Sequence, residues 1–144
     1  MKKNSFTPIS KIGEFELIKK ITNNVISYQK STKLGVGDDA AIVSFSKNKN
    51  LLVSTDMLVE GIHFDCTYTP LKHLGYKSVV VNVSDICAMN AAPTQATVSI
   101  AIPNKFSVEM IQEIYNGIKL ACKNYSVDLV GGDTTATAGP LVIS

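Results

Sequence analysis

Four aspartates, each in a short motif with glycine, serine or threonine, are the residues of this sequence best suited to hold divalent cations. They are Asp39 in Gly35-Val36-Gly37-Asp38-Asp39, Asp56 in Ser54-Thr55-Asp56, Asp85 in Asn82-Val83-Ser84-Asp85, and Asp133 in Gly131-Gly132-Asp133. Two carboxylates about 4 Å apart repel by about 4 kcal/mol at an effective dielectric near 20, so carboxylates gathered in one pocket need cations. Oxygen ligands without paired His or Cys favour Mg²⁺ over Zn²⁺. We therefore expect these aspartates to converge on Mg²⁺ and a phosphate ester or nucleotide.

The adjacent acids Asp38 and Asp39 precede an apolar run from Ala40 to Phe45. If they enter that strand regularly, alternation turns them to opposite faces, and we take Asp39 as the member that faces the metal. The hydroxyls of Ser54 and Thr55 either pair across the sheet or complete a metal shell. Taken singly, the Gly-Asp-Asp and Gly-Gly-Asp motifs are also typical of exposed turns, and Asp85 of an acid that caps a helix or bonds to a neighbouring backbone group. The hypothesis therefore depends on their convergence.

Composition excludes several classes of protein. The chain has 144 residues, 45% hydrophobic and 18% charged, which indicates one globular domain with a real core. A net charge of +2 without a dense Lys/Arg cluster argues against nucleic-acid binding. The sequence contains no run of eighteen apolar residues, so it predicts no membrane span. Three widely spaced cysteines predict neither a disulfide framework nor a CxxC metal site, so we expect a cytoplasmic protein with reduced thiols.

The hydrophobic pattern predicts helices and strands in alternation. We expect a helix from Gly13 through Val25, a hairpin of strands 40–46 and 51–55, a strand over 94–102, a helix capped by Ser107, a strand over 127–130, a turn at 131–133, and a strand over 134–144 interrupted at Gly139-Pro140. The fold class is α/β (α+β), with a mixed, mostly antiparallel sheet packed with helices. Residues 71–89 are ambiguous between a strand and a buried helix.

Two of these elements position aspartates. An antiparallel hairpin brings its outer ends together, which places the Asp39 end of the first strand next to the Asp56 end of the second. On the helical reading of residues 71–89, Asn82 and Asp85 share one side of the helix. A carboxylate on a largely buried helix must be paired or metal-bound, because leaving it bare costs several kcal/mol.

Together the motifs resemble the N-terminal half of the thiamine-monophosphate kinase family, in the superfamily of aminoimidazole ribonucleotide synthetase and selenophosphate synthetase. The stretches that carry the resemblance are 35–41, 54–64, 82–89 and 130–135. It implies ATP-dependent phosphorylation of thiamine monophosphate to thiamine diphosphate, with several Mg²⁺ ions. It also implies that residues 71–89 form a helix, and that two copies dimerise through the sheet. The usual GxxxxGK[ST] phosphate loop is missing, so the nucleotide site must be built differently.

The resemblance assigns roles to individual positions. The implied metal ligands are Asp39, Ser54, Thr55, Asp56, Asp85 and Asp133. His63 would contact the thiamine substrate, and Gly132, Asp133 and Tyr115 would contact ATP. No protein nucleophile is expected, because in-line phosphoryl transfer depends on positioning and charge stabilisation.

We expect residues 1–12 to form a flexible arm and residues 13–144 to form an ATP- and Mg²⁺-binding N-terminal domain, a fragment whose C-terminal domain is absent. The fragment alone is then expected to be inactive or very weak. Two alternatives stay open: another ATP-using synthetase of the same superfamily, and a non-catalytic module that dimerises through its sheet.

Overall fold

The computed structural model describes residues 11–23, 25–36 and 38–144, and shows three helices and seven strands in that part of the chain. In chain order they are α1 (Gly13–Ile21), β1 (Thr32–Leu34), β2 (Ala41–Ser46), β3 (Lys49–Val53), β4 (Leu58–Val59), α2 (Leu71–Ala88), β5 (Gln95–Pro103), α3 (Val108–Tyr125), β6 (Asp128–Thr137) and β7 (Val142–Ile143). The predicted fold class, helices with a mixed, mostly antiparallel sheet, is confirmed. The ambiguous segment is the helix α2.

The strands form two sheets rather than one. The first has the order β1-β2-β3 and is antiparallel throughout. Its β2–β3 hairpin pairs Ala41 with Val53, which confirms that the Asp39 end of one strand lies beside the Asp56 end of the other. The second sheet has the order β4-β7-β5-β6, in which only β5 and β6 are parallel. The strands β1 and β4 were not predicted, because two or three residues are too few to show a periodic pattern.

The core lies between the second sheet and the helices α2 and α3. Its fourteen buried members are Leu58, Phe64, Leu74, Val79, Val83, Val98, Ile100, Ile114, Ile118, Ala121, Cys122, Val127, Leu141 and Ile143. On β5 the even-numbered residues Val98 and Ile100 face this core, whereas Ser99 is exposed. The other face of the second sheet is therefore free to carry polar side chains. None of the described helices is both long and apolar enough to cross a membrane.

The helices α2 and α3 touch backbone to backbone through two glycines. A Cβ on Gly75 would overlap the carbonyl of Ile114, and a Cβ on Gly117 would overlap the carbonyl of Lys72. Both glycines are buried. The helix α3 begins at Ser107, whose hydroxyl accepts a hydrogen bond from the Met110 N–H, as its sequence predicted.

The predicted turn at 131–133 is wrong, because β6 continues through it from Asp128 to Thr137. The strand passes the glycines by a bulge: Ala96 pairs with Leu129 and Thr97 with Gly131, which leaves Val130 as an extra residue. Gly132 has a φ of 151°, and a Cβ there would overlap the Val98 carbonyl. Gly132 therefore serves close backbone approach between strands instead of a reversal of the chain.

Two predictions near the N-terminus also change. The helix α1 ends at Ile21 and does not reach Val25, because the N–H and the hydroxyl of Thr22 both bond to the Ile18 carbonyl. Asp38 and Asp39 precede β2, so strand alternation does not orient them; the Asp39 N–H instead donates to the Asp38 carboxylate at 3.0 Å. Residues 1–10 of the expected arm and Gly37 of the first motif lie outside the described residues.

The glycine contacts between α2 and α3 make a test of the fold. We expect Gly75→Ala and Gly117→Ala each to lower the free energy of unfolding by about 1–3 kcal/mol, because the added methyl forces the helices apart. Gly131→Ala is the matched control, since a Cβ there meets no atom within 4 Å. Urea unfolding followed by circular dichroism measures all three, and equal stability of the Gly75 and Gly131 variants would contradict the packing described.

Candidate functional site

Ser54 and Asp85 meet at the side of α2. The Ser54 hydroxyl donates a hydrogen bond of 2.9 Å to Oδ2 of Asp85, although the residues are 31 positions apart. Ser54 leaves β3 just after its last residue, and Asp85 lies in the last turn of α2. Both side chains are half-buried. The contact brings together two oxygen donors that the sequence assigned to a metal.

Asp56 is held beside them by the backbone. Its N–H donates to the side-chain carbonyl oxygen of Asn82 at 2.9 Å, and the Asn82 amide in turn donates to the Ser78 carbonyl at 3.0 Å. Asn82 lies one turn before Asp85 on α2, as the predicted helix required. The segment after β3 is therefore fastened to α2 at two successive points, Ser54 and Asp56.

This arrangement disfavours ionisation of the Asp56 carboxyl group. Partial burial raises the pKa of Asp56, the neighbouring Asp85 raises it further, and His63 lowers it. Burial and a like charge both disfavour the ionised carboxylate. The pair Asp56 and Asp85 is thus a place where a cation would be favourable.

These carboxylates open onto a cleft of about 620 Å³. Its lining residues are Asp56, Tyr76, Lys77, Val80, Val81, Ser84 and Asp85. Six of these seven residues come from α2, and Asp56 comes from the segment after β3. The cleft is large enough for a small phosphorylated molecule.

The loop after β4 places His63 near this cleft. The Val59 N–H donates to Nδ1 of the His63 ring at 3.0 Å, and the ammonium of Lys77 donates to the His63 carbonyl at 2.9 Å. Gly61, with a φ of 83°, turns the chain, and Phe64 anchors the loop in the core. The His63 ring itself is exposed.

Glu60 fastens the base of the same loop. Its carboxylate accepts a hydrogen bond of 2.6 Å from Lys105 and one of 3.1 Å from the Leu141 N–H. The Lys105 hydrogen bond is the main reason that the pKa of Glu60 lies below its ordinary value. The neighbouring Cys66 thiol has its pKa raised to about 11, chiefly by burial and then by the charge of Glu60, so this thiol is unreactive at neutral pH.

A second pocket, of about 470 Å³, lies at the β6 edge of the sheet. It is lined by Val98, Tyr115, Leu129, Val130, Gly131, Gly132, Asp133 and Thr134. All three residues predicted to contact ATP, Tyr115, Gly132 and Asp133, are in this set. Tyr115 comes from α3 and packs against the core, whereas the other two come from β6.

Thr55 and Asp133 are linked by a row of oxygen-bearing residues across the second sheet. Asp133 lies opposite Ser99, which exchanges backbone hydrogen bonds of 2.6 and 2.8 Å with Ser144. The Ser144 hydroxyl lies 3.2 Å from the Thr55 hydroxyl. Residues directly opposite each other share a face, so this row follows the face of the sheet away from the helices.

The predicted site residues therefore fall into separate groups. Ser54, Asp56 and Asp85 meet beside α2, and Tyr115, Gly132 and Asp133 line the second pocket. Asp39 is exposed in the bend before β2. In the described part of the chain no three His, Cys, Asp or Glu side chains lie close enough together to hold one metal ion. The expected gathering of four carboxylates in a single cluster is not seen, because Asp133 is on the far edge strand.

Sequence reasoning missed two residues at the cleft. Asn82 was noted only as a neighbour of Asp85, although an amide on a largely apolar helix is a signal for a specific hydrogen bond. Lys77 was not singled out, because a lysine on a helix is usually solvent-exposed. Its contact with the His63 carbonyl depends on a loop conformation that no local pattern specifies.

The chain matches the family model described as AIR synthase related protein, N-terminal domain, over residues 37–144. It is 40% identical over 133 residues to the thiamine-monophosphate kinase of Bacillus subtilis (strain 168), covering 92% of this chain and 41% of that protein. The thiamine-monophosphate kinase of Buchnera aphidicola subsp. Schizaphis graminum is 45% identical over 132 residues, covering 92% and 40%. The chain thus spans about two fifths of the length of these curated relatives.

The fold is also similar to the solved structure of AaThiL complexed with AMPPCP and TMP. The TM-score is 0.82 at 34% identity, over 96% of this chain and 42% of that one. The predicted resemblance to thiamine-monophosphate kinases is confirmed by these comparisons.

The Glu60 contact gives a pH-dependent test. Because its pKa is lowered in the folded chain, the ionised carboxylate stabilises the fold above the unfolded value near 4.5, and this stabilisation is lost as pH falls through the folded value. We expect Glu60→Gln to cost about 1 kcal/mol at pH 7 and almost nothing near pH 3. Glu113→Gln, on the exposed side of α3, is the control. Chemical denaturation at both pH values measures the difference, and a cost independent of pH would contradict this account.

Proposed function

Because the chain belongs to the family of AIR synthase related proteins, through that family's N-terminal domain, we propose that it is the metal- and nucleotide-binding part of a longer kinase. That kinase phosphorylates thiamine monophosphate to thiamine diphosphate with ATP as the donor. The observation that carries the proposal is the meeting of Ser54, Asp56 and Asp85 beside α2, on a cleft, in a relative of thiamine-monophosphate kinases.

The donors beside α2 fit Mg²⁺. Ser54, Asp56 and Asp85 offer only oxygen atoms, and Mg²⁺ in phosphate-transfer sites takes one or two carboxylates and fills its other positions with water and phosphate. Asp56 and Asp85 supply those carboxylates, and the hydrogen bond from Ser54 orients one of them. When bound, Mg²⁺ would offset the charge on phosphate oxygens. Further ions belong to Asp39, Thr55 and Asp133 in this proposal.

The nucleotide belongs to the second pocket. Tyr115 offers a ring that is packed against the core on one side, and Gly131, where a Cβ would meet no atom within 4 Å, leaves the backbone open to a phosphate. Asp133 lies next to them and, through the row of Ser99 and Ser144, on the same face of the sheet as Thr55. This row connects Asp133, which lines the second pocket, with Thr55, the residue next to Asp56.

No side chain in either pocket needs to act as a nucleophile. The terminal oxygen of a phosphate monoester attacks the donor phosphorus directly, so the protein's task is to align two anionic groups and to lower their repulsion. Asp56 and Asp85 contribute by holding cations, and the loop with His63 contributes by holding the acceptor. The carboxylates are thus cation ligands and not general acids or bases.

The partner and the location follow from the same proposal. We place a second copy of the chain against the second sheet, whose edge strand β6 is exposed along nearly all its length, with Val130 61% exposed. A long open edge strand is a ready surface for another chain. The exposed edge also favours the alternative, a module that only dimerises. A reaction that consumes ATP, and three free cysteines in the described chain, support a cytoplasmic location.

Asp85→Asn tests the metal site. The change removes one of two adjacent charges, so we expect Mg²⁺ and Mg-ATP affinity to fall by roughly tenfold or more, while circular dichroism stays unchanged. Asp128→Asn, an exposed residue at the start of β6, is the control and should bind as the parent does. Calorimetric titration with Mg²⁺ and ATP gives both affinities. Equal affinities in the parent and Asp85→Asn would remove this residue from the site, and no binding by a folded parent dimer would favour the dimerisation module.

The activity itself is tested with the full-length protein. We expect it to convert thiamine monophosphate and ATP to thiamine diphosphate and ADP, with the new β-phosphate visible by phosphorus NMR. Omission of Mg²⁺ is the control and should abolish turnover, because the two anionic reactants are then left uncompensated. Failure with this acceptor, together with turnover of another small molecule, would identify a different ATP-using synthetase of the same superfamily.

A further inference from the structure

The cleft beside α2 is lined by side chains of both charges. Asp56 and Asp85 lie among its lining residues, and so does Lys77, the one cationic side chain in that lining. No carboxylate oxygen of the described chain lies within 4.0 Å of the Lys77 ammonium. The acids therefore do not neutralise Lys77, and the cleft keeps a positive group and a negative pair in one concave surface.

Lys77 is nevertheless held in place. Its ammonium donates a hydrogen bond of 2.9 Å to the His63 carbonyl, which lies on a different element of the fold. An ammonium has three N–H donors, and this contact uses one of them. The other two donors have no partner among the residues that the structure describes, so the contact orients the cation and leaves donors for a ligand.

The ring of His63 is fixed in one tautomer by the same loop. Nδ1 accepts the Val59 N–H, so the neutral ring must carry its proton on Nε2. Nε2 is then a hydrogen-bond donor, and because His63 is exposed this donor is accessible to a ligand.

We propose that Lys77 binds the phosphate of the acceptor substrate, with the Nε2–H of His63 as a second donor beside it. The inference rests on the proposed function and adds to it a residue and a subsite: the phosphate monoester end of the substrate lies at Lys77. Asp56 and Asp85, which line the same cleft as Lys77, would hold the metal that offsets the phosphate charge.

The charge requirement of the reaction supports this assignment. Transfer between two anionic phosphates requires that both be offset by positive charge, and Lys77 is exposed in the cleft lining, where a phosphate can reach its ammonium. Lysine acts as a point charge on phosphate and does not need a fixed bidentate geometry. The open position of Lys77 above the His63 carbonyl suits that role.

Three variants of the full-length protein test the assignment. Lys77→Gln keeps an N–H donor but removes the charge, Lys77→Arg keeps the charge, and Lys72→Gln removes a charge elsewhere on α2, outside the cleft lining. Initial rates are measured with thiamine monophosphate and ATP varied separately. We expect Lys77→Gln to raise the KM for thiamine monophosphate by roughly 10- to 100-fold, which is the effect expected from the loss of one hydrogen bond to a charged group.

In the same experiment we expect the KM of Lys77→Gln for ATP to stay within about twofold of the parent value. Lys77→Arg should have a KM for thiamine monophosphate close to that of the parent, and Lys72→Gln should behave as the parent does. An unchanged KM for thiamine monophosphate in an active Lys77→Gln variant, or a rise only in the KM for ATP, overturns the Lys77 assignment and leaves the proposed function standing. An inactive parent overturns the proposed function itself. Circular dichroism of each variant confirms folding.

A measurement independent of turnover tests the His63 part. Nitrogen-15 NMR of the folded 144-residue chain distinguishes the two ring nitrogens, and we expect the proton on Nε2. The His63→Asn variant has no ring and so gives no information on the tautomer. The measurement is therefore made on the His63 ring of the parent chain. A neutral ring protonated on Nδ1 would remove His63 from the subsite.

Discussion

The contact of α2 with α3 through Gly75 and Gly117 is the constraint on which the rest of this structure depends. Backbone carbonyls fill the space where side chains would be, so neither helix can rotate without a clash. The rotation of α2 in turn decides which of its residues face the core and which face the cleft. Val79 and Val83 are buried, and Asn82 and Asp85 are left at the side where the chain from β3 arrives. Gly75 and Gly117 thus determine where the carboxylate of Asp85 lies.

The cleft shows how a binding site and a stable fold make opposite demands. Burial and the charge of Asp85 both raise the pKa of Asp56, so its ionised form is less stable in the folded chain than in the unfolded one. That difference costs stability as pH rises through the range in which Asp56 ionises. The core of the second sheet and the two glycine contacts offset the cost. Active sites commonly show such a conflict, because charges arranged for a ligand are uncompensated without it.

Much of the fold could be predicted from local pattern, and most of the site could not. The cap at Ser107 and the alternation of β5 are signals contained within a few residues, and both elements form as expected. Gly131 and Gly132 do not form the predicted turn, because glycine also permits close approach of two backbones within a sheet. Only the contact of Gly132 with the Val98 backbone shows which of these two roles the glycine has here. The four aspartates were recognisable as chemistry. The meeting of Asp56 with Asp85 beside α2, the separate positions of Asp39 and Asp133, and the contacts of Asn82 and Lys77 depend on tertiary packing.

The extra residue in β6 determines which face its neighbours occupy. Because Val130 has no partner on β5, the alternation of side chains restarts after it, and Asp133 falls opposite Ser99 rather than on the side of the core. If the same residues paired regularly, without the bulge, Asp133 would lie opposite Ile100 on the side of the core and Gly132 opposite Ser99. In this segment the bulge is therefore as strict a requirement as the identity of the acid. A related sequence that keeps the Gly-Gly-Asp letters but pairs this strand without the bulge would carry its acid toward the core.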